Sequence, residues 1–494
     1  MMSTCCTQRW LGLLLLALAL SNSACSSDPG DLQRAVDRLT ADPELAHATV
    51  SFLVTHAGSG ERLAALNPEA ALPRASAQKL IVTAVALDLL GETNRPLTRL
   101  YASGPVTDGV LQGDLWIRGG GDMTLGSRHF NEEGRESAFL AAWVEAVRAA
   151  GIRSITGRVI ADGSAFGYAG VPDDWNWSDL GNYYGAGPAG VSVFDNAIRF
   201  YFQTSSRTGE AAVLRRMFPV VPDLAFSHEV TGAATGTIDV TVYGAPFSPV
   251  RHVVGVLPLA QDDIEVSGSL PDPERQLALE FSAALGAGGV TVVGGPASRR
   301  TLGRVSAPDY EAAFRLLHTH LGPTVAEIVT VTNKKSINLF AEGLLCLIGY
   351  QRTGQGTTVA GLRELRAFLA QHLDVNGFSL TDGCGLSRSN AMNARNLCDL
   401  LNWMHRSPHF QTYFAALPEA GKSGTLASVC RGQPGEGRIF AKSGTMTRTK
   451  SFVGYVRPRS GPPLAFALTV VNYDCSNREM ARKMQSVLNA MAVY

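Results

Sequence analysis

Apolar positions change their spacing several times along the chain. Shortly after the N-terminus, "DLQRAVDRL" places its apolar residues at a helical period, and "ATVSFLVTHAGSGERLAAL" then reads as strand, glycine-containing turn and strand. Pro73 interrupts, and from Ser76 to Leu90 the residues are apolar nearly all round, as in a helix buried on every side. From about Pro96 the texture turns to short strands and glycine turns: "GDLWIRGGGDMTL", a helix from Glu136 to Ala150, "ITGRVIADGSAF", the aromatic "DDWNWSDLGNYYGAG", then "TIDVTVYGA" and "DDIEVSGSLP". Helical patterns return from about Asp309, including "SINLFAEGLLCLIGY", "TVAGLRELRAFLAQHL" and "NARNLCDLLNWMHR". The chain closes on three strand candidates, "RIFAKSGTM", "KSFVGYVRP" and "LAFALTVVNY", and a last helix from Ser476. Strands at both ends with helices between them predict one α/β domain, residues 31–95 and 318–494, whose sheet draws on both termini. Residues 96–317 form a mainly β inserted region, with a further nested subdomain around 200–265.

Composition narrows what the chain meets. With 494 residues, 45% apolar and 17% charged, it is long enough for more than one core, and nothing in it suggests disorder. Lys+Arg and Asp+Glu balance at 43 each, which disfavours nucleic acid or a polybasic membrane contact. At the N-terminus "RWLGLLLLALALSNSAC" sets Arg9 before an apolar run too short to span a membrane, followed by small residues up to Cys25. Residues 1–25 therefore read as an export signal, with the bacterial periplasm as destination. Asn22 departs from a lipoprotein cleavage box, so lipidation at Cys25, and with it any membrane contact, stands beside plain secretion. Downstream cysteines are Cys346, Cys384, Cys398, Cys430 and Cys475, an odd number without metal-type spacing. The "HTH" at His318–His320 diverges if helical and reads as ordinary surface histidines. No metal or cofactor is expected.

Lysine is scarce: seven in the whole chain, of which Lys79 is the first and Lys334 the second. Arginine stays protonated in proteins whereas a buried lysine can lose its proton, so a lysine kept in an apolar helix is a candidate base. Ser76 and Lys79 lie three apart, close enough on one helical face for the amine to take the hydroxyl proton; the plain alternative is a helix cap with a surface lysine. Ser336 and Asn338, in "NKKSINLFAE", taken alone are most simply a helix N-terminus. In "RIFAKSGTM", Lys442, Ser443, Gly444 and Thr445 offer charge, hydroxyls and close backbone approach on a candidate edge strand. The same four letters occur at Lys422 to Thr425, but the later copy has the β-type surroundings.

Ser-x-x-Lys, Ser-x-Asn and Lys-Ser/Thr-Gly in that order are the signature of penicillin-binding proteins and serine β-lactamases. The long separation of Ser76 from Ser336, with "GDLWIRGGGDMTL", "ITGRVIADGSAF", "DDWNWSDLGNYYGAG", "NKKSINLFAE", "TDGCGLSRSN", "GTL" and "AKSGTM", makes the chain resemble the DacB-type D-alanyl-D-alanine carboxypeptidases/endopeptidases, the low-molecular-mass class C penicillin-binding proteins. Two departures are Ser443, where that family usually has threonine, and Cys384, where it has serine. The resemblance implies a β-lactamase/D,D-peptidase-like fold, an antiparallel sheet flanked by helices. It implies Ser76 as nucleophile, Lys79 as base, Ser336 as proton relay, Asn338 as substrate holder and Lys442 as the positive charge beside Ser336. The N–H groups of Ser76 and Thr445 would form the oxyanion hole, Gly444 would admit the substrate backbone, and Ser443 and Thr445 would receive its carboxylate. Asp179, Tyr184 and Arg388 match a pocket for the charged side chain of the peptidoglycan stem. Implied partners are stem peptides, their cross-links and β-lactams as covalent inhibitors. Rival readings are a serine β-lactamase and a silent cell-wall peptide-binding relative; a Ser/His/Asp esterase lacks its G-x-S-x-G elbow.

Overall fold

The computed structural model describes residues 28–303 and 308–494, so the apolar leader and Cys25 lie outside the described residues. Five antiparallel strands build the principal sheet: β1 (Thr49–His56), β2 (Arg62–Leu66), β3 (Ile439–Met446), β4 (Thr449–Val456) and β5 (Leu464–Val471), in the order β3-β4-β5-β1-β2. β5 is buried along its whole length and sits at the centre, as a continuous apolar run without alternation requires. Both chain ends therefore enter one sheet.

Helices cover that sheet in two layers. On one face lie α1 (Pro29–Thr40) and the C-terminal α6 (Asn477–Val493), whose Leu32, Val36, Met484 and Leu488 pack on Phe52 and Phe466. On the other lie α2 (Lys79–Leu90), α3 (Val325–Lys335), α4 (Asn338–Thr353) and α5 (Ala394–His405), sharing a core with Leu53, Val453 and Ala465. α2 runs through the middle of this layer with every residue from Lys79 to Leu87 buried, which is why its sequence has no polar face.

The insertion leaves after α2 and carries four sheets around its own core of Trp143, Phe200, Phe202 and Phe281. Its first strand, Leu97–Ala102, pairs antiparallel with its last, Arg315–Leu321. This corrects the sequence-based limit at residue 317 and the helical reading from Asp309: only Tyr310–Ala313 is helical there, and residues 318–321 belong to the insertion. "RLLHTHL" is short enough to fit either period, and the partner strand decides it. On a strand, His318 and His320 share a face, and the His320 ring packs 6.0 Å from Phe139 and 5.9 Å from Trp143, so they are not simple surface histidines. Within the insertion, a sheet of Ala225–Ala233, Asp239–Tyr243 and Val250–Pro258 is threaded between strands of another, Ala197–Gln203, Val213–Phe218 and Ile264–Ser269.

Candidate active site

Three elements converge where the insertion meets the principal sheet. Ser76 stands on a 3-10 turn, Ala75–Gln78, that runs into α2 at Lys79. Side chains three apart eclipse in a 3-10 turn, so the tighter winding brings Ser76 and Lys79 into register more closely than an α-helix does. The turn is gripped from both sides by backbone. A Cβ on Gly444 would lie 2.2 Å from the Arg74 carbonyl, and one on Gly385, whose φ is +86°, would lie 2.1 Å from the Ala75 carbonyl. Glycine at both places lets β3 and the 383–385 loop close on the Ser76 turn.

Lys79 is fully buried, and its Nζ has three neighbours: Ser76 Oγ at 2.9 Å, Asn338 Oδ1 at 2.6 Å and the Cys384 carbonyl at 2.8 Å. Asn338 gives its Nδ2 hydrogen to the Tyr184 carbonyl at 2.7 Å, which fixes its Oδ1 toward Lys79. Two of the three partners are thus carbonyl oxygens that only accept. A neutral amine has two hydrogens for them and one lone pair, and the lone pair is left for the Ser76 hydroxyl. Burial disfavours the charged amine and lowers its pKa, working in the same direction.

Ser336 ends α3 in the left-handed conformation, φ 64°, and Asn338 opens α4 without capping it, so both side chains turn to the cleft instead of serving as caps. Lys442 Nζ donates to Ser336 Oγ at 2.8 Å and to the Ser443 carbonyl at 2.9 Å. Its pKa lies well below an ordinary lysine's, through burial first and then the charges of Lys79 and Lys450. Ser443 donates to Thr425 Oγ1 at 2.9 Å, so the earlier Lys-Ser-Gly-Thr copy reaches the site by its threonine. Thr445 accepts from Lys450 Nζ at 2.7 Å.

These groups open on a cavity of about 950 Å³ that also touches Asp179, Tyr184 and Arg388. Tyr184 donates to Asp179 Oδ1 at 3.1 Å. Burial raises the Tyr184 phenol above its usual range, so it remains a donor. Arg388 is exposed on the rim. The far wall of the cavity belongs to the insertion, with Arg128 and Glu265 paired at 2.7 Å.

Several supporting residues escape a reading by motif. Asp382 accepts from the backbone N–H of Gly385 and Ser387 at 2.8 and 2.7 Å and from the Trp175 indole at 2.9 Å, tying the aromatic stretch to the loop. Glu342 accepts from the N–H of Gly383 and Cys384 at 2.8 and 2.6 Å, and burial pushes its carboxyl up to about 8. Glu342, Asp382 and Cys384 bring three metal-type donor atoms within 4.8 Å, but the carboxylates are engaged by backbone N–H groups and burial raises the Cys384 thiol well above its usual pKa. The cluster braces the loop. Cys384 serves Lys79 through its carbonyl, which serine would supply equally. An acid inside the apolar run "NLFAEGLLCL" was the available signal for Glu342, and lysine scarcity was the signal for Lys450.

Comparison with known proteins agrees across the chain. The family described as D-Ala-D-Ala carboxypeptidase 3 (S13) matches residues 32–492. A D-alanyl-D-alanine carboxypeptidase of Actinomadura sp. (strain R39) is 32% identical over 455 residues, 90% of this chain and 81% of that protein. The D-alanyl-D-alanine carboxypeptidase DacB of Haemophilus influenzae is 21% identical over 453 residues, 88% of each chain. The crystal structure of penicillin binding protein 4 (dacB) from H. influenzae superposes with a TM-score of 0.77 at 19% identity, covering 93% of this chain and 99% of that one. The same protein has also been solved in complex with a novel β-lactam.

Proposed function

The chain belongs to the D-Ala-D-Ala carboxypeptidase 3 (S13) family of serine-type peptidases, and from that premise we propose that it is a penicillin-sensitive D,D-peptidase acting on peptidoglycan stem peptides through an acyl-enzyme on Ser76. The observation that carries this reading is the Lys79 amine, dry and held between two carbonyl acceptors with its remaining position on the Ser76 hydroxyl. Lys79 takes the hydroxyl proton as Ser76 Oγ bonds to the carbonyl carbon of the penultimate D-Ala. The tetrahedral oxygen receives the N–H groups of Ser76 and Thr445, a contribution of about 3 kcal/mol in comparable sites.

β3 is suited to this docking. Its outer edge is covered at Ile439 and Ala441 by bonds to Ala420 and Pro418, and by strand alternation the next outward groups, those of Ser443 and Thr445, face the cleft. Collapse of the intermediate breaks the C–N bond. Ser336, held by Lys442, passes a proton to the departing amine and regains one from Lys79; water then attacks the ester with Lys79 again as base. Asn338 binds the substrate amide, and Asp179 with Arg388 would meet the ammonium and carboxylate of a zwitterionic stem side chain.

The cavity of about 950 Å³ supports extending the reading to cross-linked substrates and so to D,D-endopeptidase action, carried out after export beyond the cytoplasmic membrane. Mass spectrometry of wild type and Ser76→Ala after benzylpenicillin and, separately, a D-Ala-D-Ala stem peptide tests it. A slowly released penicilloyl adduct on Ser76 and free D-alanine are expected. Fast penicillin hydrolysis with the peptide intact would give a β-lactamase; no adduct and no product would give a binding relative.

A further inference from the structure

Lys450 lies on β4 directly opposite Thr445 on β3. Residues opposite each other in an antiparallel pair share one face of the sheet, so Lys450 stands on the face from which Thr445 enters the cavity beside Ser76. Its Nζ donates to Thr445 Oγ1 at 2.7 Å and lies 5.3 Å from the centre of the Phe452 ring. Among the described residues, Lys422 and Lys483 pair with carboxylates on the outer surface, whereas the hydrogen bonds of Lys79, Lys442 and Lys450 go to hydroxyl and carbonyl oxygens. Lys442 is turned toward Ser336 and the Ser443 carbonyl, and the Ser443 hydroxyl is engaged by Thr425. Lys450 is thus a half-buried lysine beside Thr445 whose amine is bonded to a hydroxyl, next to a cavity that Lys335 and Arg388 also line.

We propose that Lys450, through and beside Thr445, is the specificity-determining cation for the free α-carboxylate of the D-amino acid that leaves. This rests on the D,D-peptidase reading above and deepens it. Burial lowers the Lys450 amine to about 8, so an approaching carboxylate restores a charge interaction that the protein itself withholds. A terminal D-Ala presents such a carboxylate, and so does a D,D cross-link whose acceptor carries one next to the scissile amide. A peptide bond in the interior of a chain has an amide there, offers Lys450 no charge to pair with, and is disfavoured by the charge-assisted hydrogen bond it forgoes.

The test compares an N-acylated D-Ala-D-Ala peptide acid with its C-terminal amide in the full-length protein, as wild type, Lys450→Met, Lys450→Gln and Lys450→Arg. Wild type should prefer the acid. In Lys450→Met and Lys450→Gln the acid's kcat/KM should fall roughly 10- to 100-fold toward that of the amide, mainly through KM, the scale of a lost charge-assisted hydrogen bond. Lys450→Arg should keep most of the preference. Equal losses on acid and amide would make Lys450 a brace for the hairpin and overturn the proposal, as would an undiminished acid preference in Lys450→Gln. Should Lys450→Met fail to fold, the Gln and Arg variants decide the question between them. Wild type that cleaves neither substrate overturns the D,D-peptidase reading itself, and this inference falls with it.

Discussion

The chain contains Lys-Ser-Gly-Thr twice, at 422–425 and at 442–445, and the two copies have become different objects. Lys422 is exposed, pairs with Glu419 at 2.9 Å, and has its pKa raised by that carboxylate. Lys442 is fully buried, faces Ser336, and has its pKa lowered well below the ordinary value by burial. Gly424 turns with φ +56° in a 3-10 segment, whereas Gly444 is in an extended strand where it lets the Ser76 turn approach. Identical letters acquired opposite electrostatics because one lies on a turn at the surface and the other on an edge strand packed against the Ser76 turn, with its lysine buried. What makes a lysine useful in acyl transfer is the water it has lost, and a tetrapeptide does not encode that.

The largest difference between the copies should appear on removing the amines. Lys442→Met should slow acylation of Ser76 by penicillin by about 10²- to 10⁴-fold, the range of a lost proton-transfer partner. Lys422→Met should change it less than about twofold, because an exposed ion pair contributes little. Stopped-flow acylation rates check both. Stability should move the other way. The unfolded Lys442 keeps an ordinary pKa near 10.4 while the folded one is lower, so between those two values the unfolded state binds more protons and folding gains stability as pH rises. Lys442→Met, which buries no charge, should therefore melt above wild type at neutral pH, and the gap should narrow toward pH 10. A gap that widens with pH would mean that Lys442 is folded in its charged form and well compensated.

The glycines give the next contrast. An alanine methyl at 444 meets the Arg74 carbonyl at 2.2 Å and Ser451 Oγ at 2.3 Å, and the first of these is backbone that cannot swing away. Gly444→Ala should cost about 1–3 kcal/mol of stability and displace the Ser76 turn enough to lower acylation about 100-fold. Gly424→Ala should cost a similar amount, since its φ is left-handed and its Cβ lies 2.6 Å from the Lys334 carbonyl, yet leave acylation within severalfold. Urea melts alongside rates separate the two; equal activity losses would erase the distinction drawn between the copies.

The comparison also shows what sequence makes legible. Strand-forming residues around the later copy were enough to read it as a strand, and the apolar runs of β1 and β5 were enough to place both termini in one sheet. The 3-10 winding under Ser76 was not legible: a Ser-x-x-Lys step fits an α-helix equally well, and the distinction comes from Gly385 and Gly444 pressing on Ala75 and Arg74. Nor was the end of the insertion, where "RLLHTHL" takes its conformation from Leu97–Ala102, over 200 residues earlier in the chain. Partners across such distances decide an ambiguous period. The part played by the earlier copy was hidden for the same reason, since its threonine meets Ser443 only after residues 418–420 pair with β3.

That contact yields the smallest and most specific expectation. In the proposed reading the Ser443 hydroxyl donates to the substrate carboxylate, whereas in the free protein it donates to Thr425 Oγ1. When a carboxylate arrives, the Ser443 proton turns toward it and Thr425 becomes the donor to Ser443, so the pair acts as a short relay with its direction reversed. Thr425→Val keeps the shape, removes the relay, and leaves a half-satisfied hydroxyl in the site. KM for a D-Ala-D-Ala peptide should rise about three- to tenfold with kcat nearly unchanged, the size of one neutral hydrogen bond, and Thr425→Ser should restore it. A fall in kcat instead would place Thr425 among the groups that shape the transition state, and the two copies would then share the chemistry rather than divide it.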